Sequence, residues 1–316
     1  MENTVLYVVV PCYNEEEVLP ETTKRLAQKL EALVQIGKIS EKSRVLYVDD
    51  GSKDKTWRMI ADYHTNGKFI SGLKLSRNRG HQNALFAGLM TAKEYCDCAV
   101  SIDADLQDDI NIIDGFLENF EKGCDIVYGV RSSRETDTFF KRKTAESFYK
   151  LMRYMGAETV FNHADCRLMS KRALDALADF REINLFLRGM VPLLGFKFAT
   201  VEYARDKRFA GESKYPFKKM LGLAIDGITS FSTKPLKFIT YLGVLICVMS
   251  VISFVYVLVS YFFGRVVGGW ASLMVSLWFL DGVLLIAIGI LGAYVGKIYT
   301  EVKARPRYII DLFLND

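Results

Sequence analysis

The 316-residue chain lacks most of the features that announce a cofactor or a secreted protein. Its six cysteines (Cys12, Cys96, Cys98, Cys124, Cys166 and Cys247) form no CxxC pair. None of the three histidines stands at zinc-ligand spacing from them. This excludes a sequence-recognisable zinc module and a disulfide framework, and reduced thiols in a cytosolic compartment are expected. No GxGxxG follows the first apolar run, so the dinucleotide fingerprint is absent, and no GxxxxGK[ST] marks a P-loop. Forty-one Lys and Arg against 37 Asp and Glu leave a net charge of only +4, which does not argue for a nucleic-acid partner. The apolar run at 4–10 has no basic lead and meets Glu15–Glu17 almost at once, unlike a signal peptide. No internal repeat or low-complexity linker interrupts the chain.

Charge is missing altogether from one region. Residues 238–264 contain no Asp, Glu, Lys or Arg, and 266–296 contain only Asp281. Each stretch exceeds the roughly 20 residues needed to cross a bilayer core. Only a few residues around Arg265, Gly268 and Gly269 separate them, so a transmembrane hairpin is expected. Both stretches are apolar on every face, which disfavours two core helices. Lys234 and Lys237 precede the hairpin, while Lys297, Lys303, Arg305 and Arg307 follow it. The positive-inside bias then places both termini and the large N-terminal region in the cytoplasm of a multi-pass cell-membrane protein. Asp281, inside the second span, is read as a helix-pairing or oligomer contact.

The expected organisation is a cytosolic domain over 1–212, a juxtamembrane amphipathic region over 213–235 and two spans within 236–296 (about 236–263 and 270–296). A cytosolic tail over 297–316 follows. Phe217, Met220, Leu221, Ala224, Ile228 and Phe231 form a helical apolar stripe beside Lys218 and Lys219, which suits an interfacial helix.

Within the N-terminal region, apolar runs at 5–10, 44–48, 69–75, 98–102 and 125–128 alternate with helical patterns such as 16–36 and 81–95. Such alternation predicts an α/β fold with a mainly parallel sheet covered on both faces. Residues 137–194 read as helical with irregular breaks, and 196–203 as a further strand.

In open α/β sheets ligands bind beyond the carboxyl ends of the strands. Every polar cluster here follows such an end: Pro11 to Glu16, Asp49 to Ser52, Ser76 to Gln82, Asp103 to Asp108, and Gly129 to Arg134. Five in register make a site. Without a glycine cradle, a phosphorylated ligand needs another counter-charge, most simply a divalent metal. Asp103 and Asp105 would point to opposite faces of a continuing strand, whereas a turn would let both, with Gln107, offer oxygens to one cation. Mg²⁺ is commonly held by one or two carboxylates plus substrate phosphates. Asp49 and Asp50 are adjacent like charges that need a cationic or hydrogen-bonding partner, although Gly51 and Ser52 also suit an ordinary turn.

Four blocks in order resemble the inverting family-2 glycosyltransferases of the GT-A fold. They are Val9-Val10-Pro11-x-Tyr13-Asn14-Glu15, Val48-Asp49-Asp50-Gly51-Ser52-x-Asp54-x-Thr56, Ser76-Arg77-Asn78-x-Gly80-His81-Gln82 and Asp103-Ala104-Asp105-Leu106-Gln107-Asp108. With the hairpin and the exit Lys297-Ile298-Tyr299-x-Glu301-x-Lys303-x-Arg305-Pro306-x-Tyr308, the resemblance narrows to the polyprenyl-phosphate glycosyltransferases, of the bactoprenol glucosyltransferase and dolichyl-phosphate mannose synthase types.

The resemblance implies a donor nucleotide held by Pro11, Tyr13, Glu15 and Asp50. It also implies Mg²⁺ or Mn²⁺ on Asp103, Asp105 and Gln107, with Asp105 the direct ligand. Arg131 and Arg134, with Arg205, Arg208 and Lys214, match the acceptor-side motifs, and arginine suits phosphate through bidentate donation. A basic patch attracting anionic lipid is the alternative for the neighbouring lysines. Asp165 matches the candidate general base, with a salt bridge to Arg167 or a neighbouring arginine as the alternative. The implied reaction moves a hexose from a nucleotide sugar, UDP-glucose by resemblance to the bacterial members, to membrane undecaprenyl phosphate. UDP-N-acetylglucosamine and GDP-mannose are alternative donors. A homo-oligomer through the transmembrane and juxtamembrane helices is a further expectation. A processive polysaccharide synthase is disfavoured because the chain has no Arg-Trp pair. A membrane-tethered nucleotide-sugar-binding protein without catalysis is the rival from another class.

Overall fold

The computed structural model describes residues 3–131, 163–183, 185–203, 234–263 and 269–315. The chain makes two compact units. The first comprises Met1–Lys150, Glu158–Pro216 and Arg305–Asp316, and the second Leu151–Ala157 and Phe217–Ala304.

The first unit is built on one sheet. Its elements are β1 (Leu6–Cys12), α1 (Leu19–Gln35), β2 (Arg44–Asp49), α2 (Thr56–Asn66), β3 (Ile70–Leu75), α3 (His81–Ala92), β4 (Cys98–Ser101) and α4 (Ile112–Glu121). They continue with β5 (Ile126–Arg131), β6 (His163–Ser170), α5 (Lys171–Ala178), α6 (Leu187–Leu193), β7 (Phe198–Tyr203) and β8 (Ile310–Leu314). The strand order is β7-β5-β6-β4-β1-β2-β3-β8. β1 lies parallel between β2 and β4, with Val8 opposite both Val45 and Val100. All seven residues of β1 are buried, as expected of a strand covered on both faces. α1 starts with Pro20 in its first turn, where no amide is lost, and presents Leu19, Leu26, Leu30 and Leu33 to the core.

β4 and β5 both pair antiparallel with β6, and two reversals restore the direction. The carboxyl ends of β1 to β5, and of β7, which runs parallel to β5, therefore share one edge. The mainly parallel α/β sheet expected from the alternating periods is present.

Two strands depart from the expectation. β6 occupies residues read as helical. Its Cys166, Leu168 and Met169 are fully buried, and Arg167 between them is only 1% exposed. Asp165 and Arg167 break the continuous apolar run that marks a buried strand in sequence, whereas here their charges are satisfied inside the protein. The tail contains β8, which closes the sheet against β3. Five short residues of that kind carry no pairing signal of their own.

The second unit contains α7 (Lys234–Phe262) and α8 (Trp270–Val302). Lys234–Ser253 and Ser276–Val302 have mean hydropathies of 2.0 and 2.1, enough length and apolarity to cross a membrane, and none of either window is buried. A core helix of a soluble protein would bury most of such a surface. Asp281 is exposed on α8. Of the juxtamembrane region expected over 213–235, residues 213–233 lie outside the described residues.

Candidate active site

The loops that follow β1 and β2 are laced together. The Asn14 amide donates to Ser52 Oγ at 3.0 Å, and the Lys53 amide donates to Asn14 Oδ1 at 2.9 Å. The Glu15 amide donates to Thr56 Oγ1 at 2.9 Å. Asn14 takes a left-handed φ of 55°, a conformation that asparagine tolerates better than most residues. Pro11 ends in the buried strand opposite Val48, while Tyr13 stands exposed at the rim. An open cleft of about 400 Å³ between these loops is lined by Asn14 to Val18, Lys53 and Asp54.

Asp49 and Asp50 are both buried and take backbone amides as hydrogen-bonding partners. The Ser52 amide donates to Asp49 Oδ1 at 3.3 Å. Asp50 receives the Arg79 amide on Oδ1 at 2.6 Å and the Gly80 amide on Oδ2 at 2.8 Å. Burial raises the pKa of both carboxyls, and these amide bonds oppose the rise. The β3–α3 loop approaches so closely that a Cβ on Gly51, whose φ is +69°, would lie 2.7 Å from Asn78 N. Among the described residues Asp49 Oδ2, Arg79 Nε and Asn83 Oδ1 are buried with no hydrogen-bond partner. Orphaned polar atoms in one loop cluster are what a polar ligand would satisfy.

Beyond β4 the chain does turn. Leu106 has a left-handed φ of 57°, and the Gln107 amide donates to Asp105 Oδ1 at 3.1 Å. Thr22 Oγ1 holds the turn by donating to the Ala104 carbonyl at 2.8 Å. Asp103 Oδ1 lies 3.0 Å from His81 Nε2, at the start of α3. Burial works to lower the His81 pKa, but the bond and charge of Asp103 outweigh it and raise the value. Among the described residues no three His, Cys, Asp or Glu side chains are grouped to cage a metal. Two carboxylates on a turn suit a hydrated Mg²⁺ or Mn²⁺ that completes its shell on substrate oxygens.

Asp165 enters the same edge from β6, two positions beyond the Ser101↔Arg167 pair. Ser101 Oγ donates to its carbonyl at 2.5 Å. Its carboxylate receives Arg188 Nε at 2.9 Å and Arg188 Nη2 at 2.8 Å, and Arg167 Nη2 at 3.2 Å. Burial alone would raise its pKa. The charge and bonds of Arg188, then Arg167, prevail and hold it well below the usual carboxylate range. Arg188 is a site residue that motif reading missed. It stands in the first turn of α6, whose Leu187 is pinned by its amide to Gln82 Oε1 at 3.1 Å and by its carbonyl to Arg167 Nη1 at 3.3 Å. Only the expectation of an arginine partner for Asp165 hinted at it.

Arg131 ends β5 in register with Tyr203. Arg134, Arg205, Arg208 and Lys214 lie outside the described residues. Two further facts concern the same edge. Tyr203 stands at the carboxyl end of β7. β8 begins at Ile310, opposite Leu75 at the carboxyl end of β3.

The family model described as glycosyl transferase family 2 matches residues 7–178. The chain is 53% identical over 310 residues to the uncharacterized glycosyltransferase YkoT of Bacillus subtilis, covering 98% of this chain and 92% of that one. It is 41% identical over 307 residues to the bactoprenol glucosyl transferase of Shigella phage SfII, covering 96% of each. Among solved structures, the mannosyltransferase PcManGT of Pyrobaculum calidifontis, in complex with GDP-Man and Mn²⁺, covers 96% of this chain and 86% of its own. That match has 16% identity and a TM-score of 0.43. With a family match over the sheet-bearing region and curated relatives aligned along nearly the whole length, the chain belongs to glycosyl transferase family 2 and is a glycosyltransferase.

Proposed function

We propose that this protein transfers glucose from UDP-glucose to the phosphate of membrane undecaprenyl phosphate. The observation that carries the proposal is that one chain joins two features. The carboxyl edge of its sheet collects Asp50, Asp103, Asp105 and Asp165, and the same chain carries two helices long and apolar enough to cross a membrane. A chain with both suits one water-soluble and one lipid-borne substrate. The relatives named bactoprenol glucosyl transferase support both the acceptor and glucose.

The reaction is read as a single displacement. A phosphate oxygen of the acceptor forms a bond to the anomeric carbon while the bond from that carbon to the nucleoside diphosphate breaks, inverting the centre. Pro11, Tyr13, Glu15 and Asp50 are assigned to the nucleoside. Asp103, Asp105 and Gln107 would hold Mg²⁺ or Mn²⁺, which when bound neutralises charge on the departing diphosphate. Arg131, Arg134, Arg205, Arg208 and Lys214 are assigned to the acceptor phosphate. A phosphate monoester has its second pKa near ~6 and is largely dianionic at neutral pH. Asp165, held ionised by two arginines, is then a weak proton acceptor with little proton to accept, and its work is electrostatic.

The cytoplasmic placement of both termini is supported by two features. β8 shares a sheet with β3, so the intervening chain crosses a membrane an even number of times. The flanking Lys and Arg exceed the single Arg265 of the connecting loop.

The test offers membranes carrying the protein a panel of labelled nucleotide sugars with undecaprenyl phosphate. Label is expected in the lipid fraction from UDP-glucose. Labelling only from GDP-mannose or UDP-N-acetylglucosamine would move the donor assignment, and no lipid label from any sugar would overturn the acceptor.

A further inference from the structure

The segment that returns from the hairpin grips the loop that forms one wall of the Asp50 pocket. β8 runs antiparallel to β3, with Leu312 opposite Lys74 and Leu314 opposite Gly72. Lys74 Nζ meets Asp311 Oδ2 at 3.2 Å. Pairing extends past the strand, where the Ser76 amide donates to the Ile309 carbonyl at 3.0 Å. Just upstream, the Arg307 guanidinium lies 4.6 Å from the ring centroid of Phe86 on α3 and donates to the Phe180 carbonyl. The ring of Tyr308 meets the same Phe86 edge-on at 6.3 Å.

The β3–α3 loop is therefore fixed from outside at Ser76, and the helix that follows it is held through Phe86. Its inner side is what Asp50 binds, through the amides of Arg79 and Gly80. Gly80 has a φ of +87°, a region that glycine enters freely, so the loop's own backbone does little to restrict it. Ordering such a loop costs conformational entropy, and contacts that hold it beforehand remove that cost from ligand binding.

We propose that Arg307, with Tyr308 and the Ile309 carbonyl, is a positioning element for the nucleotide-sugar pocket. Donor affinity then depends on a segment that follows the apolar hairpin in sequence. The proposal rests on the donor role assigned above to Asp50.

Full-length R307A, R307K and R172A proteins in detergent separate this from mere stabilisation. Arg172 makes a comparable ring contact, 4.4 Å from the Phe196 centroid, at the opposite edge of the sheet. The readouts are calorimetric binding of UDP with Mg²⁺ and amide hydrogen exchange over residues 76–82. Steady-state KM for donor and acceptor completes the set. R307A is expected to weaken UDP binding and raise donor KM about tenfold, to speed exchange over 76–82, and to leave acceptor KM within about twofold. R307K, which keeps a cation over the ring, should fall between, and R172A should match the parent. Unchanged UDP affinity and unchanged loop exchange in R307A, with only a lower melting temperature, would overturn the proposal. Failure of the unmutated protein to bind UDP would reject the uridine donor instead, and the exchange difference then decides the clasp on its own.

Discussion

Asp165 and Arg167 stand two residues apart on β6, both inside the protein, with Arg188 closing the pair from α6. Such a cluster is costly to break from one side, because the remaining charge is buried without compensation. D165N is expected to destabilise the protein by about 3 kcal/mol or more at pH 7, measured by denaturant unfolding. The folded-state pKa lies below the unfolded value, so this contribution is present above about pH 4 and shrinks as pH falls further. The difference between D165N and the parent should narrow accordingly. A proton-accepting role predicts something else, the loss of the acidic limb of the pH–rate profile. We expect that limb to persist near ~6 in D165N, where the acceptor phosphate itself titrates. Its disappearance would restore Asp165 as the base. D105A should abolish metal-dependent transfer while the protein still inserts into membranes, assayed by lipid labelling and membrane fractionation. Near-parental turnover would remove Asp105 from the metal site.

At the scale of elements, α3 sets how closely the site loops approach the sheet. Gly88 is the contact point, since a Cβ there would lie 2.4 Å from Val9 Cγ1 and 2.6 Å from Val48 Cγ2. Valine side chains on a packed strand have little freedom to withdraw. G88A therefore gains up to about 1 kcal/mol of helix propensity and loses about 1–3 kcal/mol to overpacking. A net loss of stability and a weaker donor interaction are expected, the first from thermal unfolding and the second from donor KM. The strands β1 to β5 and β7 were legible because each is a local apolar run with turn residues at its end. β6 was not, because Asp165 and Arg167 look like surface charge until Arg188, 23 positions beyond Asp165, closes on the Asp165 carboxylate. The polar clusters were legible as a site because parallel pairing brings successive carboxyl ends to one edge.

At the scale of the whole molecule, the proposed topology, with both termini on the cytoplasmic side, is directly testable. Protease-cleavable tags at the two termini should be cut in inverted vesicles and protected in right-side-out ones, while a tag at Gly268 should show the reverse. Cleavage of the terminal tags from opposite sides would contradict pairing of β8 with β3 within one chain.

The sequence by itself determined the alternating α/β order, the two apolar spans and the family, because periodicity, uncharged length and short motifs are local properties that need no partner. Only the tertiary structure decided that the tail completes the sheet, that Asp165 is clamped by two arginines, and that Ile309 holds the loop beside Asp50 while Arg307 packs on Phe86. Each of these joins residues far apart in the chain, and packing and hydrogen-bond satisfaction, rather than any local pattern, select such partners.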